Sequence, residues 1–368
     1  MDQSMKETLQ LQAAILIPAL EPDDRLPAYA DQLLAAGFQH VVIVDDGSSK
    51  KSQPIFDGLA ARPGVTVLHH DVNHGKGVAL KTGFTWMRDN LPDISGVICA
   101  DSDGQHTVAD CVRLAQALAE GKEAMYLGAR DFNLPNIPPR SRSGNKITSA
   151  VFKLLYGQYL PDTQTGLRAF RRQELQFMID VPGERYEYEM QQLIACARRG
   201  LPMISVTIET IYENNNAGSH FHPIRDSWRI YKVMLGSFFK FMAASLTGWV
   251  VDQGVTHVMY YQVLKALKVS ADVISPISTT VARVLSIIVN YLLNRKLVFK
   301  SKKKAGATLW KYLVLALGIW AVSTGATWAL ERAGLPMWLM KLLVDILLYF
   351  ASYGIQANWV FSEKEKTK

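Results

Sequence analysis

Apolar and polar positions divide the chain into two unlike halves near residue 235. Before that point short apolar runs alternate with stretches of helical spacing; after it long apolar stretches dominate. The short runs predict buried strands at Ala13 to Pro18, Val41 to Val44, Val65 to His69, Gly96 to Ala100, Met125 to Ala129 and Met203 to Glu209. Helical spacing covers Leu26 to Ala36, which Gly37 stops, then Val78 to Met87, Val108 to Ala119, Asn145 to Tyr156 and Glu184 to Arg199. Pro135 to Arg142 is proline-rich and basic and predicts a mobile loop. Asp162 to Phe170 is a dense polar loop that feeds a strand. Strands alternating with helices predict an α/β domain on a parallel or mostly parallel sheet. In such a sheet the ligand lies across the carboxyl ends of the strands.

The second half predicts an all-α membrane domain. Four apolar segments, about 238–264, 273–293, 309–330 and 335–360, are long enough to cross a bilayer as helices, since a span needs about 20 apolar residues. Between the second and third lie Arg295, Lys296, Lys300, Lys302, Lys303 and Lys304, with no acid among them, and Lys364, Lys366 and Lys368 follow the fourth. Positive loops stay cytoplasmic, so an even number of spans puts both termini and the first half on the cytoplasmic side of a cell membrane. The hairpin after the first span carries only Lys265, Lys268 and Asp272, as expected of the outer side. Segment 224–237 mixes Trp228, Ile230, Tyr231, Val233 and Met234 with Arg225, Arg229 and Lys232. It reads either as an interfacial helix lying on the bilayer or as a last helix packed on the first domain. The expected division is therefore 1–223, an interfacial linker at 224–237, and 238–368.

Composition narrows this picture in two ways. The net charge of +7 and pI near 9.1 suit nucleic acid or an anionic membrane, and the placement of the basic residues beside apolar spans favours the membrane. Three cysteines, Cys99, Cys111 and Cys196, have no metal-site or disulfide spacing.

The chemistry gathers where strands end. The run Gly96 to Ala100 stops in Asp101-Ser102-Asp103-Gly104-Gln105-His106. In extended chain alternate residues share a face, so Asp101 and Asp103 aim at one point, where two carboxylates repel unless a cation lies between them. Mg²⁺ or Mn²⁺ bridging to a substrate diphosphate would supply that charge, with the Gln105 amide oxygen as a neutral donor. A plain polar turn is the competing reading. Val41 to Val44 ends in Asp45-Asp46-Gly47-Ser48, a place to accept hydrogen bonds from a ribose or base. Gly75-Lys76-Gly77 opens a helix and forms a candidate anion site, but its spacing is not that of a P-loop. Arg130 closes a further strand.

These motifs, in this order, with Asp162-Thr163-Gln164-Thr165-Gly166-Leu167-Arg168-Ala169-Phe170, resemble glycosyltransferase family 2 and, within it, the branch of dolichol-phosphate mannose synthases and polyprenyl-phosphate glycosyltransferases. The resemblance covers about residues 11–235 and implies a GT-A nucleotide-sugar fold. It implies that Asp101, Asp103 and Gln105 hold metal and diphosphate, and that Pro18, Glu21, Asp45, Asp46, Lys76 and Asp162 line the nucleotide sugar. Asp103, Arg130 and Arg168 are then the candidate catalytic residues, the two arginines orienting phosphates. Two departures stand out: Glu21-Pro22 replaces the usual Asn-Glu, and Ser102 the usual central alanine. The second half is similar to the GtrA-like family, carried by Asn290-Tyr291-Leu292-Leu293-Asn294-Arg295-Lys296-Leu297-Val298-Phe299 and its echo Gln356-Ala357-Asn358-Trp359-Val360-Phe361. Membrane-domain candidates are Arg283, Asn290 and Asn294; Asp252, Lys341 and Asp345 also fall within predicted spans, where charges either pair structurally or line a path.

Together these imply metal-dependent, inverting transfer of a sugar from a UDP- or GDP-hexose to a polyprenyl phosphate, as in the building of cell wall polysaccharide. The expected partners are the nucleotide sugar, the lipid and the bilayer, with no nucleic acid polymer, and self-association into a homo-oligomer stays open. A carrier or flippase whose first half only recognises a head group is the rival from another class. A transferase with a different acceptor and a mere membrane anchor is a second. A processive synthase lacks support, because no Gln-x-x-Arg-Trp motif follows the core.

Overall fold

The computed structural model describes residues 11–120, 123–134, 137, 139–209, 223–301, 303–332 and 337–361. The chain divides into two compact units, Met1–Lys153 with Gln158–Met234, and Leu154–Gly157 with Leu235–Lys368.

The first unit is built on a seven-stranded sheet. Its strands are β1 (Ala13–Ala19), β2 (Val41–Asp45), β3 (Val65–His69), β4 (Gly96–Cys99), β5 (Met125–Arg130), β6 (Arg168–Arg171) and β7 (Met203–Ile208), in the order β3-β2-β1-β4-β6-β5-β7. Every residue of β1, β2 and β4 is buried, as expected of central parallel strands covered on both faces. Edge strand β3 is only half-buried. The helices are α1 (Arg25–Ala35), α2 (Gln53–Ala60), α3 (Lys76–Asn90), α4 (Val108–Ala119), α5 (Pro139–Tyr156), α6 (Leu175–Asp180) and α7 (Glu187–Arg199). Ile15, Ile17, Ile43, Ile98, Leu114 and Leu167 are among its fully buried core.

The α/β expectation holds, with one feature that matters for the site. Strand β6 runs antiparallel to both β4 and β5. It therefore starts where β4 ends, with Arg168 paired to Cys99, and delivers the preceding Thr165-Gly166 turn to the carboxyl edge of the sheet. Helices α2 and α6 were not expected, and the loop expected at 135–142 is corrected. Pro139 begins α5, as proline does readily at the first helical position, so 139–142 are helical, while Pro135, Asn136 and Pro138 lie outside the described residues.

The second unit is helical. Helix α8 (Pro223–His257) runs without a break through the stretch expected as a linker and continues as a π-helical turn at Val258–Leu264. Within the first unit, Ile230 and Met234 of α8 are buried and the Tyr231 hydroxyl lies 3.1 Å from Thr148 Oγ1, while Trp228 is exposed. The segment thus packs on the first domain through one face. There follow α9 (Ala271–Leu293), α10 (Ala305–Arg332) and α11 (Met337–Ile355). Among the described residues three helices are long and apolar enough to cross a membrane, Trp228–Leu264, Val273–Val298 and Ala305–Leu330. The fourth expected span forms α11 and a π-helical turn at Gln356–Val360, and its expected start falls at residues outside the described set. The echoed motifs behave alike, since Asn294–Val298 is also π-helical and also closes its helix.

Candidate functional site

The carboxyl ends of the six parallel strands and the start of antiparallel β6 meet at one edge of the sheet, where those of β2, β4 and β5 carry the candidate residues. Strand β4 stops at Cys99, and the acidic turn follows. His106 is buried, and its Nδ1 accepts the Asp101 backbone N–H at 3.0 Å. Asp103 Oδ1 accepts the Gln105 N–H at 3.0 Å, and Gly104 takes φ +76°. Thr107 then caps α4, its Oγ1 accepting from Asp110 N at 3.1 Å. The turn is thus held at both ends by polar bonds that leave carboxylate oxygen free.

The opposite wall of Asp101 is Gly166. A Cβ built there would lie 2.4 Å from Asp101 Oδ2, so the loop before β6 has room for that carboxylate only because residue 166 lacks a side chain. Lys76, the first residue of α3, reaches across with Nζ 2.6 Å from Asp101 Oδ1 and 3.0 Å from Glu189 Oε1 of α7.

The electrostatics follow from this crowding. Burial works against the charge on Asp101, but the Lys76 ammonium outweighs it and holds the carboxyl below its usual range. Burial, then the charge of Asp101, pushes Asp103 up. Burial in turn pushes His106 down, which agrees with Nδ1 acting as an acceptor. A histidine kept neutral in the fold takes up its proton more readily when unfolded, so its contribution to stability falls as pH drops below the ordinary imidazole value, about 6.5. The thermal stability of wild type over a His106→Asn variant, whose amide oxygen can still accept the Asp101 N–H, is expected to shrink between pH 7.5 and pH 5.5 in paired melting curves. A gap that widens on acidification would contradict this.

The remaining expected residues divide into two groups. Asp45 and Arg130 face the same edge. Asp45 accepts Ser48 N–H at 2.9 Å and lies 3.0 Å from His69 Nδ1. Arg130 is clamped by fully buried Asp162, Nε to Oδ2 at 2.7 Å and Nη2 to Oδ1 at 3.2 Å, so Asp162 orients Arg130. Pro18 lies buried beside Val44 in the β1–β2 register.

The others are held in the framework. Asp46 accepts Gly75 N–H at 2.7 Å and His74 N–H at 3.0 Å, and contacts His70 Nδ1 at 2.8 Å, which ties β2 to the start of α3. Glu21 accepts from Ser49 N at 2.6 Å, Ser49 Oγ and Ser52 Oγ; the Ser49 N–H holds its carboxyl below the usual range. Arg168 is placed behind the acidic turn. It is 1% exposed, with Nε on Thr165 O and Nη1 on Glu189 O and Gln192 Oε1. It braces the Gly166 turn and α7 from behind, and its Nη2 is buried without a hydrogen-bond partner among the described residues. Arg168→Ala is expected to lower stability by about 3 kcal/mol, as removal of a buried hydrogen-bonded cation does, read as a lower urea midpoint with no substrate present. Glu189 and His106, which carried no expected role, belong to the site; nothing local in the sequence marks Glu189, whose partner Lys76 is distant along the chain.

In the second unit Asn290 Oδ1 accepts from Asn294 Nδ2 at 2.6 Å and Tyr312 Oη at 3.0 Å, and Asn294 Nδ2 reaches Gln356 Oε1 at 3.2 Å. The two echoed turns are therefore joined by a hydrogen bond between side-chain amides, from Asn294 Nδ2 to Gln356 Oε1. Arg283 is largely exposed and lies 3.5 Å from Asp252; Lys341 pairs with Asp345, with Ser323 bonded to both.

The residues fit a hard divalent cation. Asp101, Asp103 and Gln105 offer oxygen donors only, the Gly166 cradle keeps Asp101 in place, and the raised Asp103 carboxyl is one that a cation would relieve. Among the described residues no group of three or more His, Cys, Asp or Glu side chains gathers to hold a metal, so the turn alone would supply only part of a coordination shell.

Comparison with known proteins adds the lineage. Residues 14–177 match the model for glycosyl transferase family 2, and residues 240–361 match that for the GtrA/DPMS transmembrane domain. An uncharacterized protein of Methanocaldococcus jannaschii is 31% identical over 230 residues, 61% of this chain and 92% of the relative. The UDP-N-acetylglucosamine–dolichyl-phosphate N-acetylglucosaminyltransferase of Methanococcus voltae is 28% identical over 215 residues, 54% of this chain and 85% of that one. The polyprenol monophosphomannose synthase of Mycolicibacterium smegmatis is 28% identical over 204 residues, 53% and 75% of the two chains.

Proposed function

The chain belongs to glycosyltransferase family 2, with a GtrA/DPMS transmembrane domain behind the transferase domain, and from that premise we propose that it transfers one hexose from a UDP- or GDP-sugar to a polyprenyl phosphate. The observation that carries the reading is the acidic turn Asp101 to Gln105, walled by Gly166 and faced by Lys76 and the Asp162-clamped Arg130. Relatives named for a dolichyl phosphate and a polyprenol acceptor support the lipid. Their different sugars leave the donor to the residues of this chain.

In this reading Asp45 receives the ribose, and Asp101, Asp103 and Gln105 hold Mg²⁺ or Mn²⁺. The ion, when bound, neutralises the departing diphosphate. Lys76 and Arg130 supply fixed positive charge beside the two phosphates; the Arg130 fork, braced by Asp162, is set for a bidentate contact. The acceptor phosphate is already anionic near neutral pH, so it attacks the anomeric carbon without a general base, and a single displacement inverts that centre. The transferase half lies on the cytoplasmic side, with the basic stretch 295–304 retained there. The membrane domain holds the lipid and helps it cross.

Nucleoside diphosphate release from a panel of UDP- and GDP-sugars, with and without a short polyprenyl phosphate, tests the reading. Release that requires both the lipid and Mn²⁺ is expected. Release that is indifferent to the lipid would point to another acceptor, and none with any donor to a carrier.

A further inference from the structure

We propose that Lys76 is an internal counter-cation that closes the acidic turn to free divalent metal and yields it to metal arriving with a nucleotide diphosphate. The inference rests on the reading of this turn as the donor and metal site.

The first observation is where the ammonium sits. Lys76 Nζ is 2.6 Å from Asp101 Oδ1, the same carboxylate a metal ion would use, and its side chain is 17% exposed. A divalent ion that approaches Asp101 therefore meets a unit positive charge in a part-buried place, where repulsion is poorly screened. The second is that the turn is incomplete. Asp101, Asp103 and Gln105 give three oxygen donors, and among the described residues no further His, Cys, Asp or Glu completes a cluster. Hard divalent ions take six or more oxygens. A diphosphate brings oxygens for the metal and, at the same time, new negative charge for Lys76.

The third observation is the second tether. Glu189 Oε1 holds the same ammonium at 3.0 Å and is not part of the turn. When Asp101 turns to the metal, Lys76 keeps one carboxylate and stays beside the diphosphate. The start of α3 cannot drift from this tether, because it is packed against the segment leading into α7: a Cβ at Gly75 would lie 2.6 Å from Arg185 Cγ. Metal and nucleotide consequently strengthen each other's binding, and by linkage the coupling is equal in both directions.

The test is a Mn²⁺ titration of the full chain in detergent, read by electron paramagnetic resonance, with Mn²⁺ alone and with UDP or GDP added. Wild type is expected to bind Mn²⁺ alone weakly and to bind it much more tightly with the matching nucleotide. Lys76→Gln is expected to bind Mn²⁺ alone about ten-fold more tightly, the size of effect that removing one close like charge produces, and to lose most of the coupling. Lys76→Arg keeps the wild-type pattern. Glu189→Gln leaves the ammonium to Asp101 alone, so Mn²⁺ alone binds more weakly than in wild type; this arm decides the matter if Lys76→Gln does not fold. Unchanged or weaker Mn²⁺ binding in a folded Lys76→Gln protein, or unchanged or tighter binding in Glu189→Gln, would overturn the proposal. Failure of both nucleotides to bind would overturn the donor-site reading instead, while the Mn²⁺-alone comparison would still decide the role of Lys76.

Discussion

Asp103→Ala is expected to abolish sugar transfer while leaving the protein folded. The Asp103 side chain makes one local bond, to the Gln105 N–H, and its carboxyl is pushed up by burial and by Asp101. A group whose charge the fold disfavours contributes little to stability, so its removal spares the melting temperature. Its chemistry has no substitute. Asp101 is shared with Lys76 and Gln105 is neutral, so the turn loses its least encumbered anionic donor and, in the proposed reaction, the cation that would offset the departing diphosphate. A fall in turnover of at least about 10³-fold is expected, comparable to loss of a principal electrostatic stabiliser. Nucleoside diphosphate release at saturating Mn²⁺, beside a melting curve, measures both halves of this expectation.

Gly166→Ala is expected to cost about 10²-fold in turnover, the penalty for a catalytic group misplaced by about an ångström. The new methyl would stand 2.4 Å from Asp101 Oδ2 and 2.9 Å from its Cγ, so the carboxylate or the loop must shift. Arg168 resists movement of the loop, since it bonds Thr165 O from behind. The carboxylate therefore moves, toward or past Lys76. Donor affinity and turnover fall together, and Mn²⁺ fails to restore them. An alanine variant with wild-type kinetics would mean that Asp101 has no fixed position to lose.

Much of this site was legible because its residues stand where apolar runs stop. Val41 to Val44 ends at Asp45, Gly96 to Ala100 at Asp101, and Met125 to Ala129 at Arg130, and the carboxyl edge of a parallel sheet gathers such ends. A strand was expected after the polar loop at 162–170, but the antiparallel direction of β6 was not legible. Four residues with two arginines have no clear period, and their direction is set by pairing with β4 and β5. That pairing buries Arg168 and brings Gly166 onto Asp101. Glu189 was hidden for a similar reason, since it meets Lys76 only through the packing of α3 on the segment before α7. Helix α2 contributes just Phe56 and Leu59 to the core, too sparse a pattern to announce a helix. In the membrane half the apolar lengths were plain, and the echo of Asn290 to Phe299 in Gln356 to Phe361 proved to be a shared π-helical turn, a conformation that no periodicity of side chains reports.

In the proposed reaction one sugar, without its phosphate, moves to a lipid phosphate. The most direct measurement is the mass of the lipid recovered after the full chain in detergent acts on a defined polyprenyl phosphate with Mn²⁺ and the active donor. A product heavier than the acceptor by a single glycosyl residue is expected, with a nucleoside diphosphate released in equal amount. A product heavier by a sugar and a phosphate, with a nucleoside monophosphate released, would contradict it.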